Sequence, residues 1–256
     1  MAENVYSTAA DSLIWHSHIG TDSADVVGDA TDSGTIYQGT PTDSTYGVRN
    51  RTFAVRGGGS DSSFRCNRSF YTFDLSGYSG TATDADFKFY SDNLGTDADE
   101  ESTIFVVQAT ALAGSTADFG NVFSSGTTLG TLLANGQIST TRQYHTISPG
   151  MGNTALVTAV NNAVGSATLT VGVMGYYDYR IAAGISTDWP AVGGNRVRIH
   201  MYYAEGTGTS KDPYLLIDGI SVASSGYSNE VLGVASANIA KVNGVATANI
   251  GKVMGV

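Results

Sequence analysis

Arg68–Tyr90, RSFYTFDLSGYSGTATDADFKFY, decides how the rest of the chain is read. Ser69, Tyr71, Phe73 and Leu75 fall on one side of an extended chain. Gly77 and Gly80 interrupt it. Ala85, Phe87 and Phe89 then alternate with Asp86, Lys88 and Tyr90. Period-two alternation on both sides of a Gly/Ser/Thr turn predicts two half-buried strands, the nucleus of a β-sandwich.

Working outward, the same alternation recurs. Residues 5–20, with Leu13, Ile14 and Trp15, predict a first strand, and Ile36–Tyr37 a short one within a Gly/Ser/Asp-rich stretch. Arg49–Arg56 (RNRTFAVR) reads as another strand. Thr103–Ala109 is an apolar, β-branched run and so a buried strand. Residues 110–140 read as turns mixed with apolar positions. Gln143–Ile147 is a short strand ended by Pro149 and Gly150, and Asn153–Val164 is one helix, capped by Asn153 or Thr154 and ended by Gly165. Leu169–Gly175 continued by Tyr176–Arg180, then Arg196–Tyr203, then Tyr214–Asp218, read as strands. Eight or more strands and one short helix over residues 1–218 predict an all-β fold, an antiparallel jelly-roll β-sandwich.

Residues 219–230 read as a linker. Beyond them the chain changes character. Gly233–Asn243 (GVASANIAKVN) is followed by Gly244–Met254 (GVATANIGKVM), identical at eight of eleven positions, and Gly255-Val256 opens a third copy. A repeat this short cannot bury its own apolar side chains. Val234, Ile239, Val242, Val245, Ile250, Val253 and Val256 are therefore expected to be covered by the sandwich, a sister copy or another protein, which makes 231–256 a docking or oligomerisation segment. Asn243-Gly244 fits a two-residue hairpin turn. Ser236 capping a two-turn helix ended by Gly244 fits equally well, and an eleven-residue period also suits a right-handed coiled coil.

Bulk properties narrow the function. Charged residues make up 14% of the chain and the net charge is −10, with few lysines and scattered arginines, so no nucleic-acid partner is expected. Cys66 is the single cysteine, which rules out an intrachain disulfide and suggests a small buried apolar side chain. No apolar run reaches about 18 residues, so no membrane span is expected. The start of the chain does not read as a secretory signal. Thirty-two glycines among Ser, Thr and Asp give an outward-facing composition, and without a secretion signal the economical expectation is assembly inside a cell into something released by lysis.

Two blocks carry a resemblance. Arg68–Tyr90 resembles the strand pair of carbohydrate-binding-module-like jelly rolls, and Lys211-Asp212-Pro213-Tyr214-Leu215-Leu216-Ile217 looks like their closing strand. Phe87 and Phe89 stand where aliphatic residues are commoner in those domains. The Ala-Asn-Ile-x-Lys-Val-x-Gly-Val repeat is similar to tails of structural and appendage proteins of tailed bacteriophages. Together these resemblances imply a virion structural protein: a capsid decoration protein, head fibre or tail-fibre component. It would be assembled in the host cytoplasm, displayed on the virion surface, partnered by other virion proteins, and homo-oligomeric, with a trimer favoured by analogy.

Candidate sites are few. Tyr176, Tyr177, Asp178, Tyr179 and Arg180, with Trp15 and Trp189, could form an aromatic platform for a cell-surface glycan, the alternative role of a glycan- or receptor-binding adhesin. Yet Tyr177 and Tyr179 continue the alternation of Leu169, Val171 and Val173, which favours a core position. Asp92, Asp97, Asp99, Glu100 and Glu101 could hold calcium, with Asp97, Asp99 and Glu101 as the strongest candidates; a solvated acidic loop is the ordinary reading. His16 and His18 share a strand face, but His145 and His200 are distant in sequence, so no metal centre and no cofactor are expected. GxSxG, P-loop and HExxH motifs are all missing, and a carbohydrate-active enzyme is the least favoured reading.

Overall fold

The structure is a computed structural model that describes residues 2–8, 12–19, 36–38, 63–94, 102–125, 127–139, 141–185, 199–201, 211–223, 241–242 and 245–246. Its strands, in chain order, are β1 (Ala2–Tyr6), β2 (Ser12–Ile19), β3 (Ile36–Gln38), β4 (Ser63–Asp74), β5 (Tyr78–Leu94), β6 (Thr103–Gln108), β7 (Phe123–Ser125), β8 (Thr128–Leu129), β9 (Leu132–Gln137), β10 (Gln143–Ile147), β11 (Thr168–Gly175), β12 (Ile199–Met201), β13 (Tyr214–Val222), β14 (Lys241–Val242) and β15 (Val245–Ala246). Two α-helices, α1 (Ala155–Ala163) and α2 (Tyr176–Ala182), and a 3-10 helix, Thr116–Val122, complete the described elements.

The fold is an antiparallel β-sandwich. One sheet runs β1-β13-β5-β10 with β12 also paired to β5; the other runs β3-β2-β4-β11-β6-β9. The two strands of Arg68–Tyr90 do not pair with each other. They lie in opposite sheets, and the turn at Ser76-Gly77 carries the chain from one to the other. Their inward rings then meet between the sheets: Tyr71 lies tilted at 5.6 Å and Phe73 edge-on at 6.2 Å from Phe87, with Phe89 stacked beside Phe87 at 5.8 Å. These residues, with Ile104, Val106, Val171, Val173, Leu215 and Ile217, form the main core. Its burial dominates the stability of the fold.

The first predicted strand is in fact two. β1 joins the five-stranded sheet beside β13, and β2 joins the six-stranded sheet beside β4. The crossing point is Ser7, whose N–H donates to Pro213 O, while Thr8 N–H donates to Thr72 O in the other sheet. Helix α1 packs against β5 on one side and β9 and β11 on the other, closing one end of the sandwich. The Asn153 side chain accepts from Ala155 N–H at 2.9 Å at its start, and Gly165, at φ +77°, follows its end. β13 runs past Gly219 to Val222, into the stretch expected to be linker.

Two further expectations need correction. Tyr176–Arg180 is helical, not a continuation of β11. And β4 is not half-buried: from Cys66 to Phe73 every residue is buried. A second core explains it. The 3-10 helix, β7 and α2 cover the outer face of the six-stranded sheet, where Cys66, Phe70, Phe105, Val107 and Met174 meet Phe119, Val122, Phe123 and Tyr179.

Candidate functional site

Of the expected aromatic platform, Asp178 and Tyr179 are buried. Tyr179 turns into the second core and stacks flat on Phe105, with ring centres 4.0 Å apart and 4° between planes. Asp178 is buried and bound to Arg68. Tyr176 and Tyr177 are half-buried and meet edge to face, and Arg180 lies over the Tyr176 ring and donates to its hydroxyl. Trp15 is in β2, paired with Asn67 by backbone register; its side chain and Trp189 lie outside the described residues. α2 thus packs on β6 and β11 and buries Asp178 and Tyr179 there.

Of the other candidates, Asp97, Asp99, Glu100 and Glu101 lie outside the described residues, and Asp92 is described by its backbone only. Among the described residues no group of three or more His, Cys, Asp or Glu could hold a metal. His16 and His18 are in β2 and His200 in β12, while His145 sits inside the main sandwich. There Ser91 Oγ lies 2.8 Å from His145 Nε2, and Phe89 stacks on the ring. Burial lowers the His145 pKa, and a hydrogen bond to the Thr141 backbone opposes this weakly. The neutral ring therefore accepts from the Ser91 hydroxyl. Ser91 is 1% exposed, so the pair is a core hydrogen bond out of reach of a substrate.

The five-stranded sheet offers a different surface. On β5, β10 and β13 the inward residues are Phe87, Phe89, His145, Ile147, Leu215 and Ile217, so their neighbours Lys88, Tyr90, Tyr144, Thr146 and Tyr214 point outward. Backbone register sets Tyr6 opposite Tyr214, Tyr214 opposite Lys88, and Tyr144 opposite Tyr90. The rings close the gaps. Tyr6–Tyr214, Tyr214–Tyr144 and Tyr144–Tyr90 centres are 5.4, 5.5 and 5.5 Å apart, at 48°, 65° and 85°. Lys211 Nζ lies 4.9 Å from the Tyr90 ring centre.

This face is electrostatically unusual. Tyr144 O–H donates to Asp212 O at 3.2 Å. Burial, then the nearby Tyr214, Tyr6, Asp212 and Tyr90, pushes the Tyr144 phenol up to about 12. Burial and Tyr6 raise Tyr214 in the same direction. The Asp212 side chain is 5% exposed, its Oδ1 meets no donor among the described residues, and burial pushes the carboxyl up to about 6. Four phenols thus share one outward face, and the buried, desolvated Asp212 lies close to Tyr144. Sequence reasoning passed over it because the tyrosines are scattered from β1 to β13. The available signal was an aromatic residue at the polar-side position of four separate strands.

No protein-family model and no curated protein sequence matches the chain. Of the repeat, the described residues are β14 and β15, which pair antiparallel with Lys241 opposite Ala246 and Val242 opposite Val245. At these four residues the chain is strand rather than helix; Asn243 and Gly244 lie outside the described residues. Val234, Ile239, Ile250, Val253 and Val256 lie outside the described residues.

Proposed function

We propose that this chain is a non-catalytic virion structural protein of tailed-phage type, a capsid decoration, head-fibre or tail-fibre component that presents its sandwich outward and docks through residues 231–256. The observation that carries the reading is the repeat. Val242 faces Val245 across strands of two residues each, and a hairpin that small has no core of its own. The same Val-x-Gly-Val spacing returns at Val253–Val256. A segment that repeats an apolar motif it cannot bury calls for a surface that covers it, either on sister copies in a homo-oligomer or on other virion proteins. The sandwich has its own closed core and needs no such cover.

The test is transfer. A monomeric carrier protein fused to residues 231–256 should be recovered with purified particles, and the carrier alone should not. Equal recovery of both would remove the docking role. A second reading, a glycan- or receptor-binding module, is favoured by the tyrosine face.

A further inference from the structure

We propose that the Asp212–Pro213 peptide bond is a self-cleavage site, cut by the Asp212 side-chain carboxyl while the Tyr144 phenol holds the carbonyl oxygen. The proposal goes beyond the docking reading and does not depend on it. The reaction is a single event on the chain itself, so it is compatible with a protein that turns over no substrate.

The chemistry starts from the sequence. An aspartate carboxyl oxygen reaches the carbonyl carbon of its own residue through a five-membered ring, so nucleophile and target are already tethered. A proline nitrogen carries two alkyl substituents, which makes it a more basic leaving group than an ordinary peptide nitrogen. Of the four prolines, only Pro213 follows an aspartate.

The fold then sets up the attack. The Asp212 side chain is 5% exposed, and its Oδ1 meets no donor among the described residues, so that oxygen is not held away from the backbone by a hydrogen bond there. Burial disfavours the ionised form and lifts the carboxyl to about 6. The neutral carboxyl carries both the attacking oxygen and the proton that the leaving nitrogen needs. Tyr144 O–H donates to Asp212 O at 3.2 Å, and this is the oxygen that takes up negative charge on attack. The Tyr144 phenol, pushed up to about 12, stays protonated and so remains a donor. On the far side, Ser7 N–H donates to Pro213 O at 2.9 Å, so the scissile bond is fixed between β10 and the crossing point after β1.

The step balances within the chain. An Asp212 Oδ oxygen bonds to the Asp212 carbonyl carbon. The C–N bond to Pro213 breaks, its electron pair stays on nitrogen, and the carboxyl proton passes to that nitrogen. The products are a cyclic anhydride at Asp212 and a free Pro213 terminus. One solvent water opens the anhydride to two carboxyls. Pro213 stands directly before β13, which pairs with β1 and β5, so strand pairing keeps the two fragments together after the cut. Residues 231–256 are then joined to the rest of the chain without a covalent bond.

The experiment follows the full chain, held native at pH 5, by intact mass and denaturing gel. Two fragments, Met1–Asp212 and Pro213–Val256, should appear, their masses summing to that of the intact chain plus one water. The same chain unfolded in urea at the same pH measures the ordinary acid lability of an Asp–Pro bond, and native cleavage should be about tenfold faster or more. Tyr144→Phe keeps the ring, removes the donor and should slow native cleavage by about tenfold or more. Asp212→Asn should stop it. Pro213→Ala, with a poorer leaving group, should slow it and keeps the test valid if another variant fails to fold. A melting transition for each variant separates loss of cleavage from loss of fold. The proposal is overturned if the native chain stays intact over several days, if it is cut no faster than the unfolded chain, or if folded Tyr144→Phe is cut at the wild-type rate.

Discussion

Arg68 and Asp178 stand 110 positions apart in sequence and meet inside the second core as a two-pronged pair, with Arg68 Nε donating to Asp178 Oδ2 and Nη2 to Oδ1, each at 2.8 Å. Nη1 donates to Phe119 O at 2.8 Å, and the guanidinium lies 4.0 Å from the Phe119 ring centre and 5.4 Å from that of Phe123. One buried cation thus ties β4 to α2 and to the 3-10 helix, and explains why the outer layer stays on the six-stranded sheet.

That arrangement predicts an asymmetry. Asp178→Ala strands a buried guanidinium and should cost about 3–5 kcal/mol in urea unfolding, whereas the double change Arg68→Met with Asp178→Leu should cost clearly less. Equal losses would mean that the ion pair is not what holds α2.

Backbone contact fixes the second prediction. Gly219 adopts φ +91°, and a Cβ there would lie 2.3 Å from Thr81 O. Gly80, its neighbour across the bulge in β13, adopts φ +109°. Gly219→Ala should lower stability by about 1–3 kcal/mol. Gly77→Ala, where the added methyl meets nothing within 4 Å, should be nearly neutral. A melting comparison of the two variants checks the difference.

How much of this was legible in the sequence depended on the range of the contacts. Alternation at Tyr71, Phe73, Phe87 and Phe89 exposed the main core, because an inward residue every second position is a local signal. Gln143–Ile147 was legible for the same reason, and α1 by equally local signals, apolar residues three to four apart between Asn153-Thr154 and Gly165. Tyr176–Arg180 was not. Tyr177 and Tyr179 mimic a strand, and the helix is favoured by long-range partners: Arg68 for Asp178 and Phe105 for Tyr179. The double burial of β4 was hidden likewise, since Arg68 reads as a solvent-facing residue until Asp178 and Phe119 surround it. The tyrosine face needs the register of four strands before Tyr6 and Tyr90 become neighbours of the same patch.

Titration supplies a third prediction. Burial raises the folded Asp212 pKa from 3.8 to about 6, so the fold holds a proton that the unfolded chain releases. Its contribution to stability is full below 3.8 and is lost as pH rises through about 6. His145 runs the other way: burial lowers its pKa from 6.5, so its contribution is present above that value and fades as pH falls. Comparing wild type with Asp212→Asn isolates the first effect. Between about pH 7 and pH 4 the wild type should gain melting temperature relative to the variant. A constant difference would contradict the buried carboxyl.

Cys66 offers a check on the second core. The thiol is buried, and burial together with the neighbouring Asp178 carboxylate holds its pKa well above the usual thiol range, with Arg68 opposing. The native thiol should resist an aromatic disulfide reagent and react fully once the chain is denatured. Rapid labelling of the native protein would mean that the outer layer does not cover β4.

The docking role rests on residues 231–256, and the most direct measurement is the fraction of chain recovered in gradient-purified particles with and without that segment. The full chain should band with the particles. The truncated chain should stay in the soluble fraction with its strand signature and its melting transition retained. Recovery of both forms in the particles at equal levels would contradict the account.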